Sequence, residues 1–448
     1  MIDQKIIDKA LELSPGTKYL VMGKNILGGT PDLFRKHFAG SKALIVADNN
    51  TWKAAGAEVY DAFVADGIPT EKYIFPEEEF HPDDEFVVRM DRIVGESGAI
   101  VVAVGSGVIN DLCKISSFHH GQKYMVVATA ASVDGYSSSG AVVNDADGAK
   151  INVETCAPLI VVGDTAVLAA APKEMTAAGY ADLAAKIPAG AEWMIADIFG
   201  TEPIMPDAWH VMFDHLDELL AHPDKVAAGD PDAIGDLFIG LSLSGVAMQI
   251  AHSSRPASCS EHLFSHYLDM THYRYRGKFQ SHGFQVAVGT LTMCAFFDEF
   301  LKMDLSTLDV DKCVAAWPTL EQEQARALEI YKNFPVPRLG HTEITKKYND
   351  AETVRAQLTR VKENWPALKA RIQGQVYSFD KMYSMFKTVG APIGPEDIGL
   401  TRKQLRDMVP FVQLMRWRIN LLDLAKRGGF YDSLVAKVFG KGGAWQID

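Results

Sequence analysis

At 448 residues the chain exceeds what one hydrophobic core serves, so two or three domains are expected. Its composition, 48% hydrophobic and 23% charged, is that of an ordinary globular protein and excludes a fibrous or disordered class. A formal net charge of −13 disfavours general affinity for nucleic acid or an anionic membrane, so an anionic substrate would need a local basic pocket.

The first third alternates strands and helices. Short, nearly continuous apolar runs occur at 43–47, 99–104, 124–128 and 159–162, as in strands buried on both faces. They stop at Asp48-Asn-Asn, Gly105-Ser-Gly, Thr129-Ala-Ala-Ser and Gly163-Asp, small or polar residues that admit a ligand to the carboxyl edge of a parallel sheet. Helices are predicted over 52–66 and 108–119. The turn Gly105-Ser106-Gly107 joins a strand to a helix start, where backbone N–H groups can approach a pyrophosphate. It is not the plain dinucleotide fingerprint. Asn110 stands where the third glycine belongs, and Asp48 precedes the glycines by 57 positions instead of following them by about twenty. The segment from Thr129 through Ser132 and Asp134 to Ser139 places hydroxyls and a carboxylate beside that turn.

Beyond about residue 165 strand-like runs vanish and amphipathic patterns take over. Val354, Leu358, Val361, Trp365, Leu368 and Ile372 alternate spacings of four and three, with Pro366 as a split point. Leu405, Met408, Val412, Met415, Ile419 and Leu422 repeat the pattern, with Pro410 as a kink. These patterns divide the chain into an α/β domain over 1–165 and a helical domain over 166–448. Five scattered cysteines without a CxxC pair fit reduced thiols in a cytoplasm. The amino terminus lacks a signal-peptide pattern and no apolar run approaches a membrane span, so no membrane partner is expected.

The segment from Ser253 to His266 carries the most chemistry. His262 and His266 are four residues apart and share a helix face, and His282 follows shortly after, so three imidazoles can converge on a metal. Asp182, in an Ala-rich stretch at 179–188, is the best-placed carboxylate to complete the set, with Lys186 one turn on. A zinc protease would need Glu after the first histidine, where Leu263 stands. No G-x-S-x-G elbow supports a serine hydrolase.

Taken in order, GSGVINDLCK, ATAASVDGYSS, GYADLAAKIPAGAEW, SRPASCSEHLFSH, HGFQVAVGTL and GAPIGPEDIGLTRKQLRD resemble the glycerol-1-phosphate dehydrogenase branch of the iron-containing alcohol dehydrogenase superfamily, over roughly residues 20 to 430. The resemblance implies a nucleotide-binding α/β domain with a mostly parallel sheet, then an all-helical domain, with the active site in the cleft between them. It implies a divalent metal (zinc, nickel or iron) on Asp182, His262 and His282, with His266 on the substrate side instead of the metal. NAD(P) would lie across Gly105, Ser106, Gly107 and Asp111, with Thr129 and Ser132 at its phosphates or nicotinamide. Asp48 would meet the adenine ribose, which favours NAD over NADP because a carboxylate repels a 2′-phosphate. Asp134 matches a substrate-side position, and a homodimer is the family expectation. Cys259 departs from the glycine expected there, and the carboxy end is longer than in the shortest relatives.

The implied reaction is reversible reduction of dihydroxyacetone phosphate to sn-glycerol 1-phosphate. His266, Asp134 and Lys186 are the catalytic candidates, and Arg255, Lys150 and Lys186 the cations for the substrate phosphate. The alternatives are oxidation of an unphosphorylated polyol, a dehydroquinate synthase-like cyclase, and a cofactor-binding protein without turnover.

Overall fold

The structure, a computed structural model, describes residues 3–77, 82–144 and 150–447. The chain forms two compact units: Met1–Leu183 with Asp207–Ser254, and Ala184–Pro206 with Arg255–Asp448.

In the first unit, β1 (Tyr19–Gly23), β2 (Ala43–Asp48), β3 (Thr70–Phe75), β4 (Ile100–Gly105) and β5 (Met125–Ala128) share a parallel sheet with β8 (Ile160–Asp164). β6 (Gly140–Asn144) and β7 (Lys150–Glu154) form a separate antiparallel pair. The order β1-β8-β5-β4-β2-β3 places the four apolar runs read from the sequence in the interior. There, residues such as Ile45, Val102, Val127 and Val162 are fully buried, each side chain contributing about 1.5–3 kcal/mol. The edge strands β1 and β3 leave most of their residues partly or fully exposed, so they lack the continuous apolar signature that marks a doubly covered strand. The chain runs from β2 outward to β3, then returns past β2 to β4 and on to β5. That reversal opens a crevice at the carboxyl ends of β2 and β4, where Asp48 and Gly105 stand.

Six helices carry the functional residues: α1 (Gly107–His119), α2 (Lys173–Ala184), α3 (Lys186–Phe199), α4 (Pro231–Ala251), α5 (Ser260–Met270) and α6 (His282–Phe300). The chain does not divide once near residue 165. The first unit also takes Thr165–Ala170, most of α2 and residues 207–254 with α4, while α3 goes to the second unit, because a change of secondary-structure pattern is not a change of packing partner. α4 also corrects the expectation that no apolar run approaches a membrane span. It is long and apolar enough by composition, and 78% of its apolar window is buried inside the protein.

Among the described residues the second unit is helical, apart from an isolated bridge between Tyr275 and Lys278. The first amphipathic pattern splits into Ala351–Glu363 and Trp365–Gln375, with Pro366 in a first turn where its missing N–H costs nothing. Pro410, in contrast, lies inside the helix Arg402–Leu414. The break falls over 415–420, where Asn420 caps the helix Leu421–Arg427 by accepting from Asp423 N. Tyr267, Tyr331, Phe334 and Phe411 form an aromatic core with ring centroids 4.9 to 5.4 Å apart.

Candidate metal and nucleotide site

The glycine turn has a packing reason of its own. A Cβ on Gly105 would stand 2.6 Å from Ile109 Cβ, so helix α1 can close against β4 only over glycine. Ser106 makes no side-chain cap, so it does not spend the first N–H groups of α1. Thr129 N donates to Gly105 O at 3.2 Å, keeping that residue beside the turn. Across the crevice, Asp48 Oδ1 accepts from Asn50 N (2.7 Å) and Thr51 N (2.8 Å), a helix cap absent from the sequence reading.

Asn110 and Lys114, one turn apart on α1, hold the segment that carries Asp134. Asn110 Nδ2 donates to Gly135 O at 3.2 Å while its Oδ1 accepts from the Tyr124 hydroxyl at 2.9 Å. Lys114 Nζ is buried and reaches Asp111 Oδ1 (3.1 Å), Gly135 O (2.8 Å), Ser138 Oγ (3.1 Å) and Gly140 O (2.9 Å). Asn110 therefore replaces the third glycine for a positive reason: this fold needs an amide there. Asp134 in turn donates its backbone N–H to Asp182 Oδ2 at 2.9 Å, and its Oδ2 accepts from Ser244 Oγ at 2.9 Å. Asp182 is fully buried, and Gly179, one turn before it, lets α2 press onto Ala131 O and the Ser132 backbone, which a Cβ would strike.

In the second unit, α5 and α6 bring two imidazoles together. The rings of His262 and His282 lie 5.2 Å apart between centroids. A Cβ on Gly289 would collide with Glu261 O, so glycine permits this close helix approach. His262 Nδ1 faces Glu261 Oε1 at 2.9 Å. Ser265 Oγ donates to Gln285 Oε1 at 2.6 Å and so accepts from His282 Nδ1 at 3.1 Å. Both rings therefore carry their proton on Nδ1, so Nε2 is the nitrogen each ring can offer a metal. The donor set fits a divalent metal. Glu261 also accepts from Cys259 N at 2.7 Å, and its neighbour Glu192, likewise buried, accepts from Ser260 N (2.9 Å), Ser260 Oγ (2.8 Å) and Leu421 N (2.9 Å). Burial, followed by repulsion from Glu261, raises the pKa of Glu192. The sequence reading missed both carboxylates, although Glu261 stands beside a proposed ligand.

His266 Nε2 lies 3.4 Å from Arg416 Nη2. The close ring pair the structure gives is His262 with His282. Lys186 is fully buried at the start of α3. Arg255, also buried, donates to Glu192 O (2.7 Å) and Ile419 O (3.0 Å), which ties it to the backbone. Lys150 opens β7, but its side chain lies outside the described residues. All five cysteines are unpaired.

Residues 21–172 match the family model for iron-containing alcohol dehydrogenase. A glycerol-1-phosphate dehydrogenase (NAD(P)+) of Halalkalibacterium halodurans is 32% identical over 292 residues, 64% of this chain and 72% of the relative. One of Thermococcus kodakarensis is 30% identical, over 64% of this chain and 80% of the relative. In fold, a probable glycerol dehydrogenase from Sinorhizobium meliloti superposes with a TM-score of 0.61 at 16% identity, over 94% of this chain and 98% of that one. A sheet with a nucleotide crevice and a helical part bearing paired histidines thus define a dehydrogenase fold. The chain belongs to the iron-containing alcohol dehydrogenase family, in its glycerol-1-phosphate dehydrogenase branch.

Proposed function

We propose that the protein reversibly reduces dihydroxyacetone phosphate to sn-glycerol 1-phosphate, with NAD(P)H and one divalent metal (zinc, nickel or iron). The observation that carries this is the pairing of His262 with His282, both with Nδ1 engaged, in a member of this branch. Asp182 is the third ligand in this reading. Three protein ligands leave a coordination position for substrate, as catalytic sites require. NAD(P) lies across Gly105, Ser106, Gly107 and Asp111, with Thr129 and Ser132 beside it. Asp48, whose cap uses Oδ1, offers Oδ2 to the ribose and so favours NAD.

When bound, the metal supplies Lewis-acid polarisation of the substrate oxygen and the nicotinamide supplies the hydride. His266, one turn beyond His262, relays the proton to the substrate oxygen. Asp134 orients Asp182 through its backbone N–H and stands on the substrate side with Lys186. The reading makes the protein a cytoplasmic homodimer acting on a small phosphorylated polyol.

The test is NADH oxidation with dihydroxyacetone phosphate and zinc, nickel or iron supplied in turn, with chiral analysis of the product. Formation of the 1-phosphate enantiomer supports the proposal, and no NADH oxidation with any of the metals overturns it. Equal turnover of unphosphorylated dihydroxyacetone would favour the polyol alternative.

A further inference from the structure

About two turns along α1 from the glycine turn, Lys114 is fully buried. Its ammonium stands among Gly135 O at 2.8 Å, Gly140 O at 2.9 Å, Ser138 Oγ at 3.1 Å and Asp111 Oδ1 at 3.1 Å. Ser138 Oγ sends its own proton to a carbonyl, Gly140 O at 2.9 Å or Gly135 O at 3.1 Å, so its lone pairs are left for the ammonium. Two carbonyls, a hydroxyl and a carboxylate thus make an oxygen cage with one more acceptor than a lysine has N–H groups. Without a positive charge at its centre the cage would bring four electronegative atoms together in the protein interior. They would separate unless another cation entered.

What the cage holds bears directly on Asp182. Gly135 and Gly140 belong to the segment that begins at Asp134, whose backbone N–H reaches Asp182 Oδ2 at 2.9 Å. Apart from one 3-10 turn, Asp134–Tyr136, residues 129–139 have no regular structure, so side chains must set the place of that N–H. α4 holds the segment from another side. Ser244 Oγ donates to Asp134 Oδ2 at 2.9 Å, Ser137 Oγ donates to Ser242 O at 2.6 Å, and Gln249 Nε2 donates to Ser137 O. A Cβ on Gly245 would strike Ser137 Oγ, so helix and segment are in direct contact. Among these anchors Lys114 alone is a cation, and it grips two carbonyls of the segment at once.

We propose that Lys114 is a positioning residue whose ammonium takes the place of a bound monovalent cation, fixing the Asp134 segment and through it the carboxylate that Asp182 offers a metal. A tethered ammonium does this at any salt concentration, whereas a free ion would have to be captured from solution. The helix that opens on the glycine turn therefore also sets the geometry behind Asp182. The link to metal rests on the reading of Asp182 as a ligand; the cage does not.

The experiment compares Lys114→Ala, which opens the cage, with Lys114→Met, which fills it with an uncharged chain. Zinc affinity is read by competition with a chromogenic chelator and apoprotein stability by urea unfolding. Each is measured in ammonium, potassium or tetramethylammonium chloride at equal ionic strength, the last ion being too large for the cage, with the wild type as control in every salt. In tetramethylammonium both variants should bind zinc roughly 10- to 100-fold more weakly than the wild type, as when an outer support of a metal ligand is removed. Ammonium or potassium should restore zinc binding in Lys114→Ala and raise its urea midpoint with concentration, as a bound ligand does, and should do neither in Lys114→Met. Wild-type zinc affinity in both variants, or the same response of both to ammonium, overturns the proposal. If Lys114→Ala folds in none of the salts, the zinc affinity of Lys114→Met decides alone. Asp182→Asn binding zinc as tightly as the wild type would refute the metal reading instead, and the ammonium dependence of Lys114→Ala stability then tests the cage by itself.

Discussion

Replacing Glu261 by Gln separates the charge behind His262 from the hydrogen bonds behind it. One oxygen, Oε1, accepts from both His262 Nδ1 (2.9 Å) and Cys259 N (2.7 Å), and an amide oxygen in its place keeps both bonds. What is lost is the negative charge, and a charged acceptor bonds about twice as strongly as a neutral one. At about 1.4 kcal/mol per tenfold, and with the usual effect of removing a group that orients a metal-bound histidine, metal affinity should fall roughly 10- to 100-fold. Folding stability should move much less. The new amide NH2 occupies the place of Oε2, a buried atom without a partner among the described residues, at a cost of about 1–3 kcal/mol. Relief of the repulsion that raises the Glu192 pKa opposes that cost. Glu261→Ala differs: it strands two buried donors at about 1–3 kcal/mol each and destabilises the apoprotein as well. Zinc affinity measured by competition with a chromogenic chelator, together with urea unfolding of the apoprotein, reads both quantities. Zinc affinity within threefold of wild type for both variants would refute the argument that His262 is a ligand oriented by this carboxylate.

Three further outcomes are expected. Asp48→Asn keeps the cap to Asn50 and Thr51 but removes the charge, so preference should shift from NAD towards NADP by about tenfold at unchanged stability; an unchanged KM ratio would leave Asp48 as a cap alone. Gly179→Ala forces a methyl onto Ala131 O and should destabilise the first unit by about 1–3 kcal/mol or more in urea unfolding; a neutral result would deny the close approach that positions Asp182. Burial raises the Asp298 pKa while its Oδ2 accepts from Phe379 N. A raised carboxyl pKa stabilises the fold when protonated and loses that contribution as pH climbs through it. Asp298→Asn should therefore raise Tm slightly at neutral pH, with the advantage closing as pH falls into the carboxylate range; a difference independent of pH would contradict this.

The sequence by itself determined the interior of the sheet and pointed to the family. Runs such as 43–47 and 99–104 are apolar on both faces wherever they pack, and hydrophobic periodicity is a local property. For the same reason the helical patterns around 354–372 were legible, and the order of short motifs pointed to the family. Edge strands β1 and β3 escaped because partial exposure erases that pattern. Tertiary structure alone decided what the polar residues do. Asn110 looked like a missing glycine until Gly135 came within reach of its amide, and Asp48, expected at the ribose, also caps a helix. Arg255 grips Ile419 O, 164 positions away, a partner that no spacing in the chain announces. A buried polar group must find its partner wherever the fold supplies one, and no local pattern in the chain records that distance.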